Sequence, residues 1–338
     1  MSARLVAGAS APPDGQYDVD IIILALDRTA ETLAAIASAS GQTGVTTHIF
    51  VLDQGSHPWA LARFAVAMRH RLNATLLAVE NNLGVAGGRD LISGLGHGRV
   101  IVALDNDAEF ATPDTVGLMV AALDAEPRLA AIGCRIVNHE DGTDDLSSWG
   151  YPANLLSSAA ESFDTVTYVG AGHAIRRTAW EQAGGYDSKL FFCWEEFDFC
   201  LRAIALGWRI RYRGDIVVRH KIAPEQRVGW SAARWFYFVR NRLYIERKLG
   251  RPWLALTPRI AGYLLKGTRN GRLPQTIRAI MAATNMAPCS SARSMPPAAT
   301  DYLSRNDRAH RGSLLRRLMR EALGRIGGVP AAASTVRR

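Results

Sequence analysis

The sequence predicts an α/β chain: a mainly parallel mixed sheet with helices on both faces, followed by a basic helical C-terminal region. Three observations carry this. Apolar runs of strand length alternate with segments of helical period over the first hundred residues. Aspartates and a glycine-rich turn stand at the carboxyl ends of those runs, the edge where open α/β sheets bind ligands. Charge divides the chain: of a net +9, the part after Arg227 holds 21 Lys and Arg against 4 Asp and Glu, and the part before it 19 against 27.

In order, Val19–Leu26 reads as the first strand, with Asp27 and Arg28 at its end and Thr29 as a cap for the helix that follows. Thr46–Leu52 is the second strand and runs into Asp53-Gln-Gly-Ser56; Trp59–Leu72 is a helix and Thr75–Val79 a third strand. Asn81-Asn-Leu-Gly-Val-Ala-Gly-Gly-Arg-Asp90 is a glycine-rich turn opening a helix. It is neither a dinucleotide fingerprint nor a phosphate loop ending in Gly-Lys-Ser/Thr. Gly84, Gly87 and Gly88 permit close backbone approach to a ligand, and Arg89 offers a fork for phosphate; the plain alternative is a helix start with a solvated arginine.

Val100–Leu104 is the fourth strand, and Asp105-Asn106-Asp107 follows it. Residues two apart on an extended chain point the same way, so the two carboxylates repel unless a cation lies between them. Mg2+ or Mn2+ suits such oxygens. An isolated Asp-x-Asp is otherwise a solvated turn; here the other strand ends favour the cation. Pro113–Leu123 then reads as a helix, Ala130–Val137 as a strand, His139–Ser148 as an acidic loop and Val166–Ile175 as a strand broken by Gly170 and Gly172. His173 within it suits a core better than a metal. Phe191–Arg202 sets Glu195, Glu196 and Asp198 among aromatics at a helix start, where burial raises a carboxyl's pKa and the helix dipole lowers it. A carboxylate so placed can take a proton from a hydroxyl. Ile210–Arg219 is a strand ending at His220, a structural residue or a third metal ligand.

The expected organisation is a disordered 1–18, a globular 19–227, a basic aromatic helical region 228–285 and, over 286–338, a linker, a short amphipathic helix (Gly312–Ile326) and a flexible tail. Trp230–Lys248 and Trp253–Leu265 interleave aromatics with basic residues, which fits an in-plane membrane helix or one packed on the globular part. The basic arm calls for a polyanionic partner, an anionic membrane surface ahead of a nucleic acid. Cys134, Cys193, Cys200 and Cys289 form no C-x-x-C pair, Met1–Tyr17 lacks a signal-peptide core, and no run of about 18 apolar residues occurs. A cytoplasmic, peripheral location is expected.

From Asp20 to Arg251 these motifs together resemble the family 2 inverting glycosyltransferases of GT-A fold. The resemblance rests on Asp27-Arg28, Val51-Leu-Asp-Gln-Gly-Ser56, Asn81–Arg89, Leu104-Asp-Asn-Asp107, Gly170-Ala-Gly-His173, Trp194-Glu-Glu-Phe-Asp198, His220 and Arg240-Asn-Arg242. Its nearest flavour is rhamnosyltransferase-like enzymes of bacterial surface-polysaccharide assembly. It implies a nucleotide-diphospho-sugar donor (UDP- or dTDP-sugar), a glycan or lipid-linked acceptor, and a divalent metal. Nucleotide-sugar contacts would come from Asp27, Arg28, Asp53, Asn82, Gly84, Gly88, Arg89 and Asp105. Asp107 would bind the metal, with Asp105 as helper and His220 completing the site. Gly172, His173 and Trp194 would line the acceptor side. The usual Glu-Asp is Glu195-Glu196 here, which makes Glu196 the base and Glu195 a contender. The rival readings are a sugar-phosphate nucleotidyltransferase, for which no basic residue beside an N-terminal glycine turn is present, and a non-enzymatic membrane or nucleic-acid binder, which leaves the strand-end aspartates unexplained.

Overall fold

The computed structural model describes residues 3–221, 230–286, 295–312, 324 and 326. The strands are β1 (Arg4–Gly8), β2 (Val19–Ala25), β3 (Thr47–Asp53), β4 (Ala74–Ala78), β5 (Val100–Leu104), β6 (Ala108–Phe110), β7 (Leu129–Asn138), β8 (Ser162–Thr165), β9 (Gly172–Arg176) and β10 (Arg209–His220). The helices are α1 (Thr29–Ser40), α2 (Pro58–Met68), α3 (Gly84–Ser93), α4 (Thr115–Ala125), α5 (Arg177–Ala183), α6 (Glu195–Ala205), α7 (Ala232–Lys248), α8 (Trp253–Arg269), α9 (Leu273–Asn285) and α10 (Pro297–Asn306).

One mixed sheet runs β1-β4-β3-β2-β5-β9-β7-β10-β6, with β8 also on β10. Pairing is parallel through β4-β3-β2-β5 and between β7 and β10; β9 is antiparallel to both its neighbours, as are β1, β6 and β8 to theirs. β4 and β5 are buried at every position and, apart from Thr75, apolar, as expected of strands covered on both faces. Alternation along β2 sends Ile21 and Ile23 to one core, with Phe64 and Met119, and Ile22 to the other, with Phe50 and Phe199. Because β2, β3 and β5 run parallel in register, Asp27, Asp53 and Asp105 emerge on one edge.

Several expectations are corrected. Residues 1–18 are not wholly irregular: Leu5-Val6-Ala7 supplies apolar side chains to the open edge of β4, and β1 pairs there from Arg4 to Gly8. Of the strand expected over Val166–Ile175, only the part from Gly172 is extended, as β9; 166–171, which holds Gly170, is irregular and separates it from β8. The linker expected after Asn285 contains α10, started by Pro297 in its first turn and pinned by Tyr302. The Tyr302 hydroxyl donates to a strand carbonyl at Ile210 or Thr165 and accepts from Ile210 N–H at 3.0 Å. The amphipathic helix expected over Gly312–Ile326 and the tail lie almost wholly outside the described residues.

α7 packs inward instead of lying free: Trp235, Val239, Leu243 and Tyr244 are buried. With Leu256 and Tyr263 of α8 and Ala279 and Ala283 of α9, the first three form a separate core, where Trp235 Nε1 donates to Thr276 Oγ1 at 2.8 Å. Lys248 bonds Asp187 and Asp198 and ties α7 to the sheet domain. Among the described residues no helix is long and apolar enough to cross a membrane.

Candidate active site

At the end of β5 the chain turns through Asp105-Asn106-Asp107 into β6, whose antiparallel pairing with β10 places Ala108 opposite His220. That register brings Asp105, Asp107 and His220 together, with one ligand atom from each lying within 4.8 Å of the others. His220 Nε2 is 3.3 Å from Asp107 Oδ1. Its Nδ1 is 3.0 Å from Asp145 Oδ2, and Ser148 Oγ lies 3.3 Å away. Two carboxylates and an imidazole whose far nitrogen is held by a third carboxylate form a donor set suited to Mg2+ or Mn2+.

The charges are arranged around that cluster. Burial works against ionisation of His220, but its bonds to Asp107 and Asp145 prevail and push its pKa up to about 10. Burial likewise opposes ionisation of Asp145, yet His220, Ser147 and Ser148 hold it down at about 2. Asp107 is lowered as well: against its burial, His220 and Arg28 favour the carboxylate. Arg28 pairs directly with Asp107. Both Asp27 and Arg28 have positive φ, 51° and 47°, and this left-handed turn aims Arg28 across the strand ends. Asp27 accepts from His57 N–H at 2.9 Å, while its own N–H donates to Ser56.

Arg89 is corrected from a phosphate-binding fork to an internal strut. Its side chain is 3% exposed. It reaches Asp105 Oδ1 at 2.6 Å, Glu196 Oε1 at 3.2 Å and the Gly170 carbonyl at 2.7 Å. One guanidinium thereby joins the metal-type carboxylates to the carboxylate at the start of α6, across 107 residues of sequence. Glu196 is the more open of the two glutamates, its side chain 16% exposed. Burial raises its pKa, against the pull of Arg89. Glu195 is 3% exposed, raised further by burial and by the Glu196 charge, and its Oε2 is buried without a partner.

The glycine turn is also corrected. Gly84 (φ +73°) makes room for the Phe191 backbone, and a Cβ on Gly88 would meet Gln54 and Leu24 at 3.0 Å; both face protein, not a ligand. Asn82 caps the turn, its Oδ1 accepting from Gly84 N–H at 2.7 Å. Gly172 packs on Val218, and His173 is wholly buried, stacked on Tyr168 and 3.1 Å from Tyr186 Oη. Neither lines an acceptor surface, because β9 is an interior strand and both residues point into its packing. Trp194 is half-buried at the N-cap of α6, where Nε1 donates to the Phe238 carbonyl.

Further along the edge, Asp53 and Asn81 line a cleft of about 500 Å³ with Arg4, Gly55, Ser56 and Glu80. Asp53 Oδ2 accepts from Gly55 N–H and Ser56 N–H, while Oδ1 is buried with no partner in the protein. A buried acceptor beside a cleft is a place for a ligand's hydroxyl or N–H donor. Sequence reasoning missed Arg4, Asp145 and Ser148. Arg4 lies in a segment read as disordered, and Asp145 and Ser148 in a stretch read only as an acidic loop. Gly170 was marked as a strand-breaking glycine, though not as a neighbour of Glu196.

Residues 20–184 match the profile of Glycosyl transferase family 2. Over 150 residues the chain is 32% identical to the succinoglycan biosynthesis protein ExoO of Rhizobium meliloti (strain 1021), a match spanning 44% of this chain and 40% of that relative. The structure is similar to the mannosyltransferase PcManGT from Pyrobaculum calidifontis, solved with GDP-Man and Mn2+ (TM-score 0.53, 17% identity, 93% of this chain and 88% of that one). It is also similar to GalNAc-T7, solved with UDP, GalNAc and Mn2+ (TM-score 0.54, 17% identity, 70% and 48%). The fold is GT-A, a mixed sheet flanked by helices with a helical region after it.

Proposed function

We propose that this protein is a metal-dependent inverting glycosyltransferase, moving a sugar from a nucleotide-diphosphate donor to a hydroxyl of a glycan or lipid-linked acceptor in surface-polysaccharide synthesis. The carrying observation is the single guanidinium of Arg89 spanning Asp105 of the metal-type cluster and Glu196 of α6. That span ties the carboxylate that would help hold a cation to the carboxylate that would accept a proton, the two charges a single-displacement transfer would use. The family 2 match and the likeness to a succinoglycan biosynthesis protein of Rhizobium support the same reading.

Asp105, Asp107 and His220 would hold the divalent ion, with Asp145 orienting His220. When bound, that ion supplies positive charge to the diphosphate leaving group. Asp53, through its unpartnered Oδ1, takes a donor of the ribose or base in the cleft it lines, with Asp27 and Asn82 shaping the same edge. Arg28, paired with Asp107, would move onto the diphosphate. Glu196 takes the proton from the acceptor hydroxyl, whose oxygen attacks the anomeric carbon opposite the leaving group. One displacement inverts the centre and needs no glycosyl-enzyme. Trp194 would border the acceptor. A UDP- or dTDP-sugar of hexose or 6-deoxyhexose type, rhamnose among them, is the donor class we favour.

Leu254 and Leu265 of α8 and Ile277 and Met281 of α9 are exposed, with Arg269 and Arg278 nearby in sequence. This mix supports peripheral attachment to an anionic, cytoplasmic membrane face.

The test is Glu196→Gln. It should bind donor nucleotide as the wild type does, by thermal shift with Mn2+, and lose about 10²- to 10⁴-fold in transfer rate. Full turnover in that variant would take the base role away from Glu196.

A further inference from the structure

Glu196 lies two residues beyond a stretch of backbone that L-residues resist. Phe191, Cys193 and Trp194 all have positive φ, 61°, 71° and 74°, and none is glycine. Such conformations persist only where the surroundings over-determine them. Trp194 is the N-cap of α6, so the path of residues 190–194 sets the direction of the first helical turn and hence of the Glu196 side chain.

The restraint comes from α7, beyond the family-matched residues. Asn241 is fully buried, and its Nδ2 lies 2.8 Å from each of three carbonyls, those of Leu190, Phe192 and Cys193. Its Oδ1 accepts from Arg240 Nε at 2.8 Å, which fixes the amide so that both hydrogens face the loop. Arg240 Nη2 adds the Lys189 and Leu190 carbonyls at 2.8 and 2.9 Å. On the opposite side, Ala86 N–H donates to the Phe191 carbonyl at 3.2 Å, through the space that Gly84 leaves open. Residues 190–193 are therefore gripped between the start of α3 and one face of α7.

We propose that Asn241 is a positioning residue for Glu196, locking the strained 190–193 backbone from which α6 departs. This rests on the transferase reading, with Glu196 as base. A cut or slackened clamp lets the positive-φ residues relax toward ordinary conformations, and the carboxylate then leaves the line of the acceptor hydroxyl. Displacements of about 1 Å at a reacting group cost on the order of a hundredfold in rate.

The experiment uses the full chain and compares wild type, Asn241→Ala, Glu196→Gln and the double variant. Asn241→Ser, which keeps one donor, replaces the alanine variant if that one does not fold. We expect kcat to fall about a hundredfold with donor KM unchanged, and the double variant to be no slower than Glu196→Gln alone. Hydrogen exchange should quicken at residues 191–197 and stay unaltered in β2 and β5. A folded Asn241 variant with wild-type kcat, a double variant slower by the product of the two single losses, or unaltered exchange at 191–197 would each overturn the proposal. A wild-type protein that transfers no sugar would instead remove the transferase reading, and the exchange measurement would still decide whether Asn241 holds the loop.

Discussion

Replacing Gly170 by alanine is the smallest change that should separate catalysis from binding. A Cβ at Gly170 would lie 2.5 Å from Glu196 Oε1 and 3.3 Å from Arg89 Nη1. Ordinary contact begins at 3.4 Å, so the carboxylate must retreat by about 0.9 Å. The Gly170 backbone is not in the left-handed region, so alanine adds no backbone strain there. The displaced atom is the end of a flexible side chain, which places the stability cost near the lower end of the roughly 1–3 kcal/mol of overpacking. The rate cost is larger. A shift of that size lengthens the proton transfer to Glu196 and loosens its bond to Arg89, and about a hundredfold loss in kcat follows. The assay is initial-rate release of nucleoside diphosphate with acceptor present, beside thermal shift with nucleotide and Mn2+. Gly170→Ala should melt within a few degrees of wild type, bind nucleotide equally and turn over about a hundredfold more slowly. A variant with kcat within twofold of wild type would refute the claim that the Glu196–Arg89 spacing limits catalysis.

Other consequences can be checked the same way. Asp145→Asn weakens the hold on His220 Nδ1, and Mn2+ affinity measured by calorimetry should fall about 10- to 100-fold; unchanged affinity would detach Asp145 from the metal site. Burial raises Glu196, and a base works only when ionised, so kcat/KM should fall as pH drops through a value above the ordinary 4.5. Glu195 and Glu196 interact, so the limb belongs to the pair, and an acidic limb at or below 4.5 would contradict this. Asp20, wholly buried, accepts from Gly98 N–H at 2.9 Å, from Arg177 Nη2 at 2.5 Å and from Tyr17. Arg177→Met strands that carboxylate and should cost about 3–5 kcal/mol in denaturant unfolding. Burial already raises the Asp20 carboxyl, and a carboxyl whose folded pKa exceeds its unfolded one favours folding more as it protonates. The deficit of Arg177→Met should accordingly shrink as pH falls; a deficit independent of pH would mean that Asp20 is not its source.

The legible part of this molecule is its periodic part. β2, β3, β4 and β5 are apolar runs with polar ends, and that pattern alone placed Asp27, Asp53, Asp105 and Asp107 on one edge. His220 could be suspected because β10 alternates up to it. What the pattern could not carry was the direction of side chains whose partners lie far away in sequence. Arg89 reads as a phosphate ligand because it follows glycines at a helix start, yet its partners are Asp105, Glu196 and Gly170, set by the meeting of α3, β5 and α6. The glycines before it read as a ligand cradle, and they cradle Phe191 and Gln54 instead. Both misreadings share a cause: a residue that lets backbone come close leaves the same mark in sequence whether the visitor is a nucleotide or the protein itself.

Asn241 shows the converse. Arg240-Asn-Arg242 stood out as a motif with no chemistry of its own, on a helix whose composition suggested a membrane or packing surface. Its meaning exists only once Phe191, Cys193 and Trp194 take up positive φ, which no propensity predicts for such residues. Strain of this kind can be stored in a loop only if another element holds it there. Here that element is α7, the same helix that anchors the basic C-terminal region. α7 also shares its core with α8 and α9, so under the proposed clamp the C-terminal helices and the loop before Glu196 are held by one element.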